Sequence, residues 1–274
     1  MMSKFIDKLY QAQVQNNSLV CVGLDPNRGK INALGLELFS WLVKIVDAVA
    51  DNICAFKPQI AHFSAISAEN DLKNIIAYIH EKYPNIPVIL DAKRGDIGTT
   101  AQQYAIEAFE KYQADAVTVN PYLGHDSLQP FLDYADKGVI ALCKTSNAGS
   151  NEFQNLKMEN GKTLYEQVAE NATHKWNSNK NLLLVVGATY PQELAKIRSI
   201  VGDMPLLIPG IGAQGGDVAA TLKAGLNSNP KQSGLIISSS RGIIYAGKYQ
   251  DDFADKAKHA CLALNRQIND FWSI

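Results

Sequence analysis

The stretch Val88–Thr100, VILDAKRGDIGTT, decides how the rest of the chain is interpreted. Its opening apolar residues are typical of a buried strand, and four charged residues then fall within six positions. Because side chains alternate between the two faces of a strand, Asp91 and Lys93 are predicted to point the same way. Asp96 follows Gly95 in a turn that can fold its carboxylate back over that face. The stretch therefore indicates either a local ion pair at a solvated strand end or a catalytic group.

Short apolar segments rich in Val, Ile and Leu recur along the whole chain. They do not alternate with polar residues, which is typical of strands buried on both faces of a parallel sheet. Eight such strands are predicted: Leu19–Leu24, Ile53–Phe56, Val88–Leu90, Ala116–Val119, Val139–Leu142, Leu182–Val186, Leu206–Ile208 and Leu235–Ile237.

Segments with helical spacing separate these strands. Helices are predicted at Leu38–Ala50, Glu69–Lys82, Thr100–Tyr112, Ser127–Ala135, Thr163–Trp176, Pro191–Ile200, Asp217–Ala224 and Phe253–Ile268. Pro191 suits the first turn of a helix, and Thr163 and Asp217 suit the N-cap position. Eight alternating units favour a closed (β/α)₈ TIM barrel of the α/β class over the alternative, an open doubly wound sheet.

The length of the chain, 274 residues, is normal for one such barrel. No domain boundary is visible, so residues 1–274 are predicted to form a single domain with a sizeable core, since 46% of the residues are apolar. Met1–Asn17 has apolar residues at helical spacing and lacks the continuous apolar run of a signal peptide. It is predicted to be a short helix that closes the bottom of the barrel.

The overall charge gives no sign of a nucleic-acid or membrane partner, because 26 basic and 27 acidic residues leave a formal net charge of −1. No run of ~18 apolar residues is present that would span a bilayer. The four cysteines are widely spaced, so buried, reduced thiols and a cytoplasmic location are predicted. The five histidines form no metal-binding motif, so no metal site is predicted.

Charged residues gather at the carboxyl ends of the second and third predicted strands, where barrel enzymes build their active sites. Lys57 is expected ~5 Å from the Asp91 strand, the spacing of neighbouring strands. With Asp96, these residues form a set of two positive and two negative charges. Opposite charges favour the protonated form of Lys93. The residue therefore suits a proton donor better than a Schiff-base nucleophile, which requires a depressed pKa.

A phosphate site is predicted after the seventh and eighth strands. The glycine-rich segment Pro209–Gly216 precedes a helix and offers backbone N–H groups to an anion. Arg241 follows the eighth strand and can bind phosphate oxygens with its guanidinium fork. The same segment matches G-x-G-x-x-G, but Val218–Gln250 contains no acidic residue, so a dinucleotide site is not favoured.

One polar segment rich in Asn and Gly, Asn147–Lys162, follows the fifth strand. In a barrel this position is on the catalytic face. The segment is predicted to be either a lid or an ordinary surface loop.

The block Asp91–Thr100, DAKRGDIGTT, resembles the active-site signature of the orotidine 5′-phosphate decarboxylases, in their longer bacterial subgroup. Other blocks of that family are matched in the same order: Leu24-Asp25-Pro26, Phe56-Lys57-Pro58, Thr145-Ser146-Asn147 and Pro209–Gly216. The resemblance implies decarboxylation of orotidine 5′-monophosphate to UMP without metal or cofactor, in a (β/α)₈ homodimer with shared active sites. It implies that Lys93 is the proton donor, and that Lys57, Asp91 and the partner subunit's Asp96 complete a charged tetrad.

The resemblance also implies which residues bind the nucleotide. Asp25 and Lys57 match ribose contacts, and Thr100 matches a contact made from the partner subunit. Ser146 matches the pyrimidine contact beside the fifth strand. The phosphate contacts are matched by Gln214 and Arg241, with Gly212 in the glycine-rich turn.

Two alternatives remain open. One is a related barrel decarboxylase that acts on a sugar phosphate with Mg²⁺, for which Asp25 and Asp91 would serve as ligands. The other is a catalytically silent nucleotide-binding barrel. Decarboxylation of orotidine 5′-monophosphate in the presence of a chelator distinguishes all three.

Overall fold

The computed structural model describes residues 4–211, 216–227 and 232–272. These residues form eight parallel strands, each close to a predicted one: β1 Val20–Leu24, β2 Ala55–Pro58, β3 Ile89–Arg94, β4 Ala116–Val119, β5 Gly138–Lys144, β6 Leu182–Val186, β7 Leu206–Pro209 and β8 Leu235–Ser239. The strands are hydrogen-bonded in the order β2-β1-β8-β7-β6-β5-β4-β3. Isolated bridges Phe56–Val88 and Gln59–Asp91 join β2 to β3. The predicted TIM barrel is therefore confirmed, and the open sheet is wrong.

Helices separate the strands, as predicted. They are α1 Lys4–Asn16, α2 Arg28–Asn32, α3 Leu38–Val49, α4 Ile60–Ser64, α5 Glu69–Lys82, α6 Gly98–Ile106, α7 His125–Leu132, α8 Leu164–Asn171, α9 Pro191–Val201, α10 Val218–Gly225, α11 Arg241–Ile244 and α12 Phe253–Asn269. Pro191 is in the first turn of α9. Thr163 caps α8 in a capping box with Glu166, and Asp217 accepts a hydrogen bond from the backbone N–H of Ala220.

Two predicted helices change their pitch near the C-terminal end. The helix predicted at Thr100–Tyr112 begins earlier, at Gly98, and continues beyond Ile106 as a π-helical turn, Glu107–Lys111. The helix predicted at Thr163–Trp176 likewise ends in the π-helical turn Ala172–Trp176. Each wider turn contributes a large buried side chain, Phe109 or Trp176, to the core. Apolar spacing alone does not reveal such a one-residue widening.

The N-terminal helix α1 closes the bottom of the barrel, as predicted. Its buried residues pack with the inward-facing residues of the strands, including Cys21, Ala55 and Ile89. The fit depends on Gly138 at the start of β5, because a Cβ there would overlap the Phe5 ring. The amide of Gln13 adds a hydrogen bond to the carbonyl of Leu235 at 2.8 Å.

All four cysteines are buried and free, as predicted. Within the described ranges, no helix combines the length and apolar character needed to cross a bilayer.

Candidate active site

Lys57, Asp91 and Lys93 meet at the carboxyl ends of β2 and β3. The two oxygens of the Asp91 carboxylate are divided between the lysines, with Lys57 Nζ 2.6 Å from Oδ2 and Lys93 Nζ 2.5 Å from Oδ1. The side chains of Lys57 and Asp91 are only 8% and 9% exposed, whereas that of Lys93 is 45% exposed. The buried pair therefore presents the Lys93 ammonium to the open end of the barrel.

Thr118, on β4, fixes this arrangement. Its Oγ1 accepts hydrogen bonds from the backbone N–H groups of Ala92 and Lys93, both at 3.0 Å, and it donates one to Asp91 Oδ1 at 3.0 Å. Lys93 has a positive φ of 47°, and the pairing of β3 with β4 shifts register between Leu90 and Arg94. A non-glycine residue in this conformation is strained and persists only when its surroundings hold it. The predicted meeting of Asp91 and Lys93 is confirmed, through an irregular strand end.

The charges of the three residues support one another. Burial alone would raise the pKa of Asp91, but the charges of Lys57 and Lys93 outweigh burial and hold that pKa well below its usual range. Burial alone would lower the pKa of Lys57, but the charges of Asp91 and Asp25 hold it above its usual range. Asp91 and Lys57 therefore both remain ionised at neutral pH.

Asp25 directly follows β1, close enough for its charge to act on Lys57. Its Oδ1 is buried and has no hydrogen-bond partner among the described residues. A buried carboxylate oxygen without a donor is costly, so it is suited to accept a hydrogen bond from a ligand hydroxyl. The backbone carbonyl of Asp25 is held by the hydroxyl of Tyr245 at 3.0 Å, and that hydroxyl accepts from the N–H of Asn27 at 2.7 Å.

Ser146 lies in a turn after β5, packed against the turn after β6. The hydroxyl of Thr189 donates to the carbonyl of Ser146 at 3.2 Å. Gly187 permits this approach, because a Cβ there would lie 2.7 Å from the Cα of Ser146. The fifth and sixth strand ends therefore hold Ser146 on the same face of the barrel as the charged group.

The expected phosphate site is only partly described. Gly212 and Gln214 lie outside the described residues. At the two ends of the glycine-rich segment, the N–H of Gly216 donates to the carbonyl of Gly210 at 3.1 Å. Gly216 has no room for a side chain, since a Cβ would lie 2.8 Å from that carbonyl oxygen. Arg241 is exposed at the first position of α11, on the same end of the barrel.

Asp96 and Thr100 do not join the charged group of their own chain. Asp96 is half-buried, its carboxylate accepts from the N–H of Ile97 at 2.8 Å, and it forms no ion pair within the described ranges. Thr100 is exposed in the first turn of α6. The structure thus brings three members of the predicted tetrad together and leaves the fourth at the surface.

Comparison with known proteins identifies the family. A family model described as "Orotidine 5'-phosphate decarboxylase / HUMPS family" matches residues 18–253. The chain belongs to this family. Two of its members, from Ralstonia pickettii and Dechloromonas aromatica, are named orotidine 5′-phosphate decarboxylase and are each 56% identical to the chain. The matches cover 98% and 97% of this chain and 99% and 98% of those proteins.

Solved structures agree with this family assignment. The structure of Leishmania donovani OMP decarboxylase superposes with a TM-score of 0.80 at 40% identity, over 98% of this chain and 100% of that chain. No group of three or more His, Cys, Asp or Glu side chains that could hold a metal ion occurs in residues 4–211, 216–227 and 232–272.

Proposed function

We propose that this chain decarboxylates orotidine 5′-monophosphate to UMP. The observation that carries the proposal is the buried Lys57–Asp91 pair with Lys93 exposed above it, in a chain whose relatives at 56% identity bear the decarboxylase name. A silent nucleotide-binding barrel would have no reason to retain such a group, because buried charges are costly and contribute little to stability.

The chemistry proposed for the site follows from the position of Lys93. The bond between the pyrimidine C6 and its carboxylate breaks, CO₂ departs, and the electron pair stays on C6. A fixed ammonium near C6 stabilises the negative charge as it develops, and then gives its proton to that carbon. Asp91 and Thr118 hold Lys93 in position, so little reorganisation is needed during the reaction.

The remaining residues are proposed to bind the nucleotide away from the reacting carbon. Asp25 and Lys57 contact the ribose, Ser146 contacts the pyrimidine, and Arg241 contacts the phosphate with help from the glycine-rich turn. Binding energy from the phosphate and ribose can then be used to orient the ring and stabilise the transition state.

We further propose that the chain works as a homodimer with shared active sites, in which Asp96 and Thr100 reach the partner's substrate. The exposed apolar surface beside them supports this arrangement: Ile97 is 58% exposed and Tyr122 is 78% exposed. An open groove of about 680 Å³ runs along the adjoining helices α6 and α7. Apolar side chains at such a surface favour association with a second copy.

We also propose that residues 1–274 form one domain that works in the cytoplasm. The four buried, free cysteines support a reducing compartment. A single cooperative unfolding transition of the reduced protein, unchanged by oxidants, is the expected behaviour; separate transitions would contradict the single domain.

The activity is tested by following the ultraviolet absorbance of orotidine 5′-monophosphate. The purified chain should convert it to UMP, and Lys93→Ala should lower kcat by about 10²–10⁴-fold, the usual contribution of a positioned proton donor. Calorimetry should show that this variant still binds UMP. Lys73→Ala, an exposed lysine of α5, is the matched control. An inactive wild-type chain would refute the function, and a fully active Lys93→Ala variant would refute the proton donor.

Mixed dimers of Lys93→Ala and Asp96→Ala test the shared site. In a mixed dimer, one site carries both lesions and the other is intact if Asp96 acts across the interface. Heterodimers should therefore regain about half of the wild-type activity, as two-fold symmetry requires. Purified heterodimers without activity would show that Asp96 serves its own chain.

A further inference from the structure

Lys144, the last residue of β5, is completely buried, with an exposure of 0%. Lysine is rarely buried unless it is paired with an opposite charge. No carboxylate oxygen of the described residues lies within ion-pair distance of its Nζ. The nearby charge of Glu193 acts on Lys144 only at longer range, and burial lowers its pKa. An unpaired buried lysine at the catalytic end of a barrel strand is not explained by stability.

The ammonium of Lys144 is satisfied by three neutral groups. It donates to the hydroxyl of Ser150 at 2.9 Å and to the amide oxygen of Asn151 at 2.8 Å. It also lies 4.4 Å from the centre of the Tyr190 ring, within the range of a cation–π interaction. Two hydrogen bonds and one aromatic face match the three donors of an ammonium group.

These partners belong to two different segments. Ser150 and Asn151 lie in a 3₁₀ turn, Ala148–Glu152, within the loop that follows β5. Tyr190 precedes α9, in the turn after β6, and its hydroxyl reaches the carbonyl of Asn147 at 3.5 Å. Lys144 therefore joins the start of the loop to the neighbouring strand end from beneath.

Ser146 lies between Lys144 and the 3₁₀ turn Ala148–Glu152 in the chain, only two residues from each. The segment before the 3₁₀ turn is also held by Gln154, whose amide oxygen accepts from the N–H of Thr145 and whose amide donates to its hydroxyl, both at 2.9 Å. The pairing of β5 with β6 shifts register between Leu142 and Lys144, at the point where the strand turns into this segment. A bulge of this kind re-aims the following side chains.

We propose that Lys144 is a positioning residue, which fixes the Thr145–Asn147 turn so that Ser146 meets the pyrimidine of the bound nucleotide. This inference rests on the proposed function, in which Ser146 contacts the base. Lys144 itself touches no substrate, because it is buried beneath the turn. Its role predicts a loss that is specific to ligands containing a pyrimidine.

Three variants test the proposal. Lys144→Met removes the ammonium but keeps an unbranched side chain of similar volume, one atom shorter. Asn151→Ala removes one acceptor at an exposed position, where misfolding is not expected. Lys162→Met, at the far end of the same loop, breaks a surface ion pair with Glu170 and serves as the control, since such pairs contribute little.

Lys144→Met should lower kcat/KM for orotidine 5′-monophosphate by about 10- to 100-fold, the usual result of a small misplacement. Its affinity for UMP should fall, while its affinity for ribose 5-phosphate, which lacks a base, should stay within about twofold, the experimental range of no effect. Asn151→Ala should show a smaller loss in the same direction. The effects of the two substitutions should not add in the double variant, because both remove the same contact.

Thermal unfolding separates positioning from a structural role. Because Lys144 has no ion-pair partner among the described residues, Lys144→Met leaves no opposite charge unpaired and removes the cost of burying an ammonium group. It should therefore keep or raise the unfolding temperature while losing activity. Equal loss of affinity for UMP and ribose 5-phosphate, or unchanged kinetics in both Lys144→Met and Asn151→Ala, would overturn the inference. An inactive wild-type enzyme would instead overturn the proposed function.

Discussion

The buried Lys57–Asp91 pair is not expected to add net stability to the fold. The free energies of unfolding of variants at the two positions test this expectation. The two single substitutions are not equivalent. In Lys57→Met, Asp91 keeps Lys93 and the hydroxyl of Thr118 as partners. In Asp91→Leu, the ammonium of Lys57 remains buried with its nearest counter-charge removed.

The magnitudes follow from these contacts. Lys57→Met removes one hydrogen bond between charged groups and should lower the free energy of unfolding by about 1.5–3 kcal/mol. Asp91→Leu leaves a buried charge uncompensated and should cost about 3–5 kcal/mol. If the effects were additive, a double variant would lose roughly 4.5–8 kcal/mol, the sum of those two ranges. Because Lys57→Met with Asp91→Leu replaces the whole pair by apolar groups, we expect it to lie within about 2 kcal/mol of the wild type.

Urea unfolding followed by circular dichroism measures all four proteins. Protein concentration is kept constant and no nucleotide is added, because association and ligand binding both shift apparent stability. Unchanged slopes against urea concentration would show that the same unfolding transition is compared. The double variant should also lack decarboxylase activity. A double variant destabilised by the full sum of the single losses would refute the reasoning, because the pair would then contribute net stability.

Three further outcomes are expected. Arg241→Ala should raise KM for orotidine 5′-monophosphate roughly 10- to 150-fold, the equivalent of one charge-assisted contact. KM for the unphosphorylated nucleoside should change much less. Equal increases in KM for both substrates in steady-state assays would exclude a phosphate contact. Exhaustive chelation should leave turnover unchanged, whereas a loss restored by Mg²⁺ would favour the sugar-phosphate alternative. Because the pKa of Asp91 is lower in the folded chain than the unfolded value of about 3.9, its carboxylate adds stability above that pH. Acidification below that pH should therefore reduce the free energy of unfolding. In urea titrations over the same pH range, Asp91→Asn should show a smaller decrease in the free energy of unfolding.

The barrel could be predicted because its pattern is repeated eight times. Most strands are apolar on both faces and most strand ends carry polar residues, so an error at one element changes little. The bounds of β3 were harder to predict, because the charged residues Asp91, Lys93 and Arg94 still belong to the strand. Local composition marks the end of an apolar run, whereas backbone pairing decides the end of a strand.

The charged group could be predicted from strand adjacency, but its supports could not. Thr118 is the lone hydroxyl in the apolar strand β4, which is a weak signal that a partner is needed. Lys144 ends an apolar run in the same way, yet its partners lie six and seven residues further along the chain. Tyr245 gives no signal in the sequence, because its contact with the Asp25 backbone spans 220 residues. Such contacts depend on tertiary packing that sequence spacing does not encode.

The helix α1 has a consequence for how the chain is made. It is synthesised before the strands that it covers, yet Lys8 pairs with Asp115, 107 residues away, and Gln13 binds the carbonyl of Leu235, 222 residues away. Its apolar face must therefore wait, uncovered, until nearly the entire barrel has been synthesised. Contacts of such long sequence separation form slowly, and exposed apolar segments promote aggregation in the meantime. The helix that closes the barrel is thus translated before every strand that it covers and is among the last elements to find its contacts, so α1 needs protection during synthesis.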